Sequence, residues 1–211
     1  NPLVDIDVGR RGVPGQTHLN YTRDELHTIF SHNWEPQERL LLSLLITTGM
    51  RLSEAANLSW ERFSEDHDGI QGMRCFSLLN TNDEIVAVKN KGSMRIIPLH
   101  PDLVLPPKGI GRLFDYKMNE DGLASHDAGR AINPTLQKLF PHPQKMAHSF
   151  RGTLKELLRD AGVSKEISDF YTGHSSGDVA GTRYGGVGVD TRYIEISKAR
   201  HPWLKYKSNL D

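Results

Sequence analysis

The sequence predicts an α+β fold, mainly helical, with one small three-stranded antiparallel sheet. Three features predict it. A dense apolar run, "EPQERLLLSLLITTG", opens with Pro36 and stops at Gly49; short apolar or alternating runs fill residues 72 to 99; and helical periodicity returns in "HSFRGTLKELLRDAG". Proline suits a first helical turn and glycine a helix end, so the first run reads as a buried central helix.

The remaining elements follow in chain order. In "YTRDEL", Thr22 with Glu25 three positions on forms a capping box that starts a helix toward His32. Beyond Gly49, "MRLSEAANL" offers Ser53 as the cap of a short helix, which sets Arg51 at a junction between two helices. "MRCFSLLN", "EIVAVKN" and "MRIIPL", separated by "TND" and "KGS", read as a meander of three strands. A helix in "SHDAGRAI" is expected to break near Pro134, which lacks the N–H that a helix interior needs. Phe150, Leu154, Leu157, Leu158 and Ala161 then recur at the helical period; Gly162 ends that helix and Ser164 caps another, "KEISDFY". A last helix runs from about Asp190 to Ala199 within "DTRYIEISKARHPWL".

Composition narrows the partners. The 211 residues suffice for one large domain, or one domain with an arm, and carry 26 basic and 26 acidic side chains. A formal charge of zero excludes a chain that is basic all over, so any polyanion must be met by a local basic face. The single Cys75 excludes an internal disulfide framework and a thiolate zinc site, and reads as a small core residue in a reducing compartment. No apolar run approaches the roughly 20 residues of a membrane helix. A soluble, cytoplasmic protein is expected. The opening "DVGRRGVPGQTH" reads as a linker, so residues 1–19 are taken as an arm of a longer protein, 20–186 as the domain and 187–211 as a tail.

Three constellations carry chemistry. "HSFR" places His148 and Arg151 in one first turn, where exposed N–H groups also favour an anion. Arg51, held beside a buried helix, can fork two oxygens of a phosphate or carboxylate. "TGHSSGDVAGTRYGG" sets His174 and Tyr184 ten positions apart among glycines, a segment suited to presenting side chains rather than to building a core. Basic residues cluster as Lys89, Lys91, Arg95, Lys108 and Arg112, with Asp102 the one acid between them, and as Lys138, Lys145, Arg151 and Lys155. His142, His148 and His174 lack a compact metal-ligand spacing, which disfavours a histidine metalloprotein.

Arg51, "HSFR", "TGH" and a tyrosine ten residues on, in this order, resemble the catalytic domain of the tyrosine recombinases, the phage integrase family. The resemblance runs from "TRDEL" through the last helix. It implies a site-specific DNA recombinase that cleaves and rejoins strands through a 3′-phosphotyrosyl intermediate, without metal or nucleotide cofactor. It further implies Arg51 and Arg151 as a phosphate clamp, His148 as base or proton relay, His174 as a hydrogen-bond donor to phosphate, and Tyr184 as nucleophile. A lysine in the turn between the second and third strands would protonate the leaving 5′ oxygen; Lys89 is favoured over Lys91. Lys91, Arg95 and Lys145 are expected on DNA phosphates, with Arg95 meeting backbone phosphate or solvent. The family also implies double-stranded DNA as partner, a homotetramer on DNA from a monomer in isolation, and a tail that packs on a neighbouring subunit or in cis. A bacterial cytoplasm or nucleoid, with a phage or mobile element as source, is the implied setting. The His174 to Tyr184 interval is one residue longer than the commonest family spacing, which keeps Tyr171 and Tyr193 as rival nucleophiles, the first read as core and the second as packing. A type IB topoisomerase, a telomere-resolving enzyme and an inactive DNA-binding module of the same fold are the alternative readings.

Overall fold

Several helix boundaries fall where side chains satisfy the unpaired backbone groups. The computed structural model describes residues 18–80, 94–173 and 188–205. Helix α1 spans Arg23–Ser31 and begins with the expected capping box: the Glu25 N–H donates to Thr22 Oγ1 and the Thr22 N–H to Glu25 Oε2. Its buried face is Leu26, Ile29 and Phe30. Helix α2, Pro36–Thr48, is buried continuously from Leu41 to Thr48 and packs against three other helices. Its two buried threonines are tolerated because each hydroxyl donates to a carbonyl one turn back, Thr47 to Ser43 at 2.7 Å and Thr48 to Leu44. Gly49 ends it in the left-handed region at φ 60°.

Helix α3, Leu52–Ala56, starts two residues earlier than a Ser53 cap would place it: Arg51 occupies the cap position and Glu54 supplies the carboxylate. Among the described residues the sheet has three strands in the order β1 (Phe63–Ser64), β2 (Cys75–Ser77) and β3 (Ile96–Pro98), both pairs antiparallel. Phe76 sits opposite Phe63 on one side and Ile97 on the other, so the sheet's apolar face is continuous. Thus "MRCFSLLN" and "MRIIPL" do form strands, and the partner beside β2 is a two-residue strand upstream of the expected meander. "EIVAVKN" lies outside the described residues.

Helix α4 runs from Ser125 to Leu139 without the break expected at Pro134. Ala128, Ile132 and Leu136 form one buried stripe across the proline, and that packing outweighs the missing hydrogen bond. Helix α5, Ser149–Asp160, buries Phe150, Leu154, Leu157 and Leu158 against α2, and Gly162 follows it at φ 77°. Helix α6, Lys165–Tyr171, is capped by Ser164, whose hydroxyl accepts from the Ile167 N–H. Helix α7, Val189–Ile196, packs on β3, and a 3-10 turn at Pro202–Lys205 packs on α1. Ile196, Ala199 and Trp203 join the core of the same chain, while Ile194 stays exposed. No described helix is long and apolar enough to cross a membrane.

Candidate active site

The α2–α3 junction, the start of β3 and the first turn of α5 meet around one buried carboxylate. Glu54, 2% exposed, sits in α3, so its oxygens face back toward the junction. Its Oε1 accepts from Arg51 Nη1 at 2.7 Å, and its Oε2 accepts from the Arg51 backbone N–H at 2.9 Å and from Arg95 Nη2 at 3.0 Å. Burial alone would raise this carboxyl's pKa; the charge and hydrogen bond of Arg95, then the Arg51 bonds, bring it below the ordinary glutamate value. Glu54 is therefore ionised, and it fixes both guanidinium groups.

Arg151 approaches from α5. It is 3% exposed, and Nη1 donates to the Gly49 carbonyl at 2.7 Å, one of the orphan acceptors left by the end of α2. Burial lowers its pKa to about 10, and the neighbouring charges of Arg51 and Arg95 push the same way while Glu54 opposes them. A guanidinium at that value is charged at neutral pH. Arg151 thus feels the charges of Arg51 and Arg95 beside one buried carboxylate, a local excess of positive charge that suits a phosphodiester.

His148 stands exposed at the N-cap position of the same helix, with the His18 ring 4.7 Å away. The segment before α1 braces this turn: the Leu19 N–H donates to the Gln144 carbonyl and the Tyr21 N–H to Thr153 Oγ1. Of the expected site residues, the structure brings together Arg51 and Arg151, with His148 in the first turn beside Arg151. Lys89, Lys91, His174 and Tyr184 lie outside the described residues. Gly173, which precedes His174, is described, and a Cβ placed on it would lie 2.8 Å from Arg95 Nη1.

Two rivals and several basic residues are also placed. Tyr171 is buried, its hydroxyl donates to the Pro98 carbonyl, and burial raises its pKa well above the ordinary phenol value, so it packs rather than attacks. Tyr193 is half-buried on α7. Arg95, expected to meet solvent or a backbone phosphate, is 2% exposed and committed to Glu54 and to the Tyr171 carbonyl, because the sheet turns it inward onto that carboxylate. Lys145 pairs with Glu25, Lys155 with Asp169, and Arg112 donates to the carbonyls of Tyr116 and Ala56. Lys108 and Lys138 are exposed. Among the described residues no three His, Cys, Asp or Glu side chains gather as a metal site requires.

Solved structures share this architecture. The integrase of mycobacterium phage Brujita superposes with a TM-score of 0.60 over 92% of this chain and 62% of that one, at 14% identity. The Tn1549 transposon integrase in complex with a circular intermediate DNA gives 0.53 over 89% and 67%, at 15% identity. Bound to transposon right end DNA, it gives 0.52 over 85% and 65%, at 18%. The fold is that of the tyrosine recombinase catalytic domain. The chain spans about two thirds of the length of these integrases. Its sequence matches no protein-family model and no curated protein.

Proposed function

We propose that this chain is the catalytic domain of a site-specific DNA recombinase that exchanges strands through a 3′-phosphotyrosyl intermediate. The observation that carries the reading is the convergence of Arg51 and Arg151, 100 positions apart in the sequence, near the buried Glu54. In this reading the two guanidinium groups bind the non-bridging oxygens of the scissile phosphate and stabilise the charge that builds on them in the transition state. The Tyr184 hydroxyl attacks phosphorus; the bond to the 5′ oxygen breaks, and Lys89 supplies the proton that this oxygen takes up. A phenol with a pKa of about 10 needs help to ionise, which His148 gives as base and the surrounding positive charge gives through the field. His174 donates to a phosphate oxygen. The phosphotyrosyl ester conserves the energy of the broken bond, so attack by a 5′-hydroxyl of another strand reverses the step and joins new ends. Lys91 contacts a flanking phosphate, and four copies act together on double-stranded DNA.

The test is a nicked suicide substrate, from which the short 5′ fragment diffuses away after cleavage. Wild-type protein is expected to migrate as a covalent DNA adduct in a denaturing gel, and Tyr184→Phe is expected to form none. Absence of an adduct with wild type, under conditions where DNA is bound, identifies a binding module instead. An adduct that persists in Tyr184→Phe moves the nucleophile to another tyrosine.

A further inference from the structure

We infer that Arg95 is a positioning residue that ties the Tyr171–Gly173 turn, from which the chain leads into His174, to the carboxylate that holds Arg51. The inference rests on the reading of Arg51 and Arg151 as the phosphate clamp.

Arg95 immediately precedes β3, its carbonyl accepting the Leu78 N–H at 2.8 Å, so the edge of the sheet fixes the base of the side chain. Two edges of the guanidinium then do different work. Nη2 donates to Glu54 Oε2 at 3.0 Å, and Nε donates to the Tyr171 carbonyl at 3.0 Å. The turn is shaped to receive it. Gly173 has φ 59°, and the missing side chain leaves the space that Nη1 occupies, since a Cβ there would lie 2.8 Å from that nitrogen. Tyr171 is held at both ends by this strand, its carbonyl by Arg95 and its hydroxyl by Pro98. Burial excludes a peripheral DNA contact for Arg95, and a planar fork is what the two divergent acceptors need. A lysine at this place keeps the charge against Glu54 but offers one nitrogen where the guanidinium offers two separated edges.

The consequence is mechanical. The arginine clamp sits at the α2–α3 junction and on α5, whereas the Tyr171–Gly173 turn ends α6; Arg95 spans them, so that the turn is held in register with the clamp.

Arg95→Gln and Arg95→Lys test this in the full chain, with two readouts. Without DNA, amide hydrogen exchange at residues 171–173 is expected to quicken about tenfold in both variants, while the core amides of α5 keep their wild-type protection. With a nicked suicide substrate at saturating protein, single-turnover adduct formation is expected to fall about a hundredfold in Arg95→Gln and less in Arg95→Lys, with DNA affinity within about threefold of wild type. Unchanged exchange at 171–173, or an adduct rate equal to wild type, overturns the inference. Should Arg95→Gln fail to fold, Arg95→Lys carries both measurements. If wild type itself traps no adduct, the recombinase reading fails, and the exchange alone decides whether Arg95 grips the turn.

Discussion

At the scale of single residues, Glu54 has the largest structural consequence. A buried carboxylate with three donors is favourable only while they stay, and its removal strands Arg95 in a pocket without its counter-charge. Glu54→Gln is expected to lower unfolding free energy by about 3 kcal/mol, read by urea denaturation. The pH dependence has a definite sign. The folded-state pKa lies below the ordinary 4.5, so the carboxylate's contribution is full above that value and is lost as pH falls through the folded one. The Gln variant loses that acid sensitivity. Part of this was legible: "RLSE" repeats the Arg-to-Glu spacing of "RDE" plus one, and Glu54 stands to Arg51 as Glu25 stands to Thr22. A serine makes the commoner cap, which is why Ser53 drew the helix start. Arg95 was not legible, because its burial depends on an acceptor 41 residues away that no local pattern announces.

At the scale of elements, the helices were readable and the sheet only partly so. The period of Phe150, Leu154, Leu157 and Leu158 marks a buried face regardless of what covers it, whereas β1 is two residues long and exists only through its pairing with β2. Pro134 misled because an interior proline costs about 3 kcal/mol locally, a penalty that a fully buried stripe can exceed. Gly49 shows a tighter constraint. Its φ of 60° is left-handed, and a Cβ there would lie 2.8 Å from Thr172 Cγ2 and 3.0 Å from Leu154 Cδ2. Gly49→Ala is expected to destabilise the protein by about 1–3 kcal/mol, seen as a fall in Tm, and to disturb the carbonyl that Arg151 uses. The contact that His201 makes is expected to depend on pH. His201 is fully buried, edge-on to His100 and beside Trp203, and burial, then His100 and Arg23, lowers its pKa from 6.5 to about 3. The docked form therefore binds fewer protons than the undocked one between those values, and docking weakens as pH falls from 6.5. Trp203 fluorescence followed from pH 7 to 5, above the range where Glu54 titrates, should report a loosening that His201→Phe suppresses.

At the scale of the whole molecule, the zero formal charge is resolved by placement rather than by number. Several of the basic side chains grouped in the sequence are engaged inside the protein: Arg95 with Glu54, Lys145 with Glu25, Lys155 with Asp169, and Arg112 with two carbonyls. Among the described residues, the surface left for phosphates is smaller than the charge count suggests. DNA affinity is thus expected to fall with salt at a slope of only a few phosphates' worth, well short of the log–log slope of about ten of a large operator-binding repressor, and a titration from low to physiological salt reads it directly. Linear order gave the two arginines, and folding supplied the carboxylate that holds Arg51 and whose charge Arg151 feels; that is the central claim, and one measurement tests it. Single-turnover covalent trapping on a nicked substrate, with protein in excess over its Kd, should be slowed by about 100-fold to 1000-fold in Arg51→Ala and again in Arg151→Ala, each variant being folded and DNA-bound. Trapping at the wild-type rate in either variant would contradict a clamp built from both.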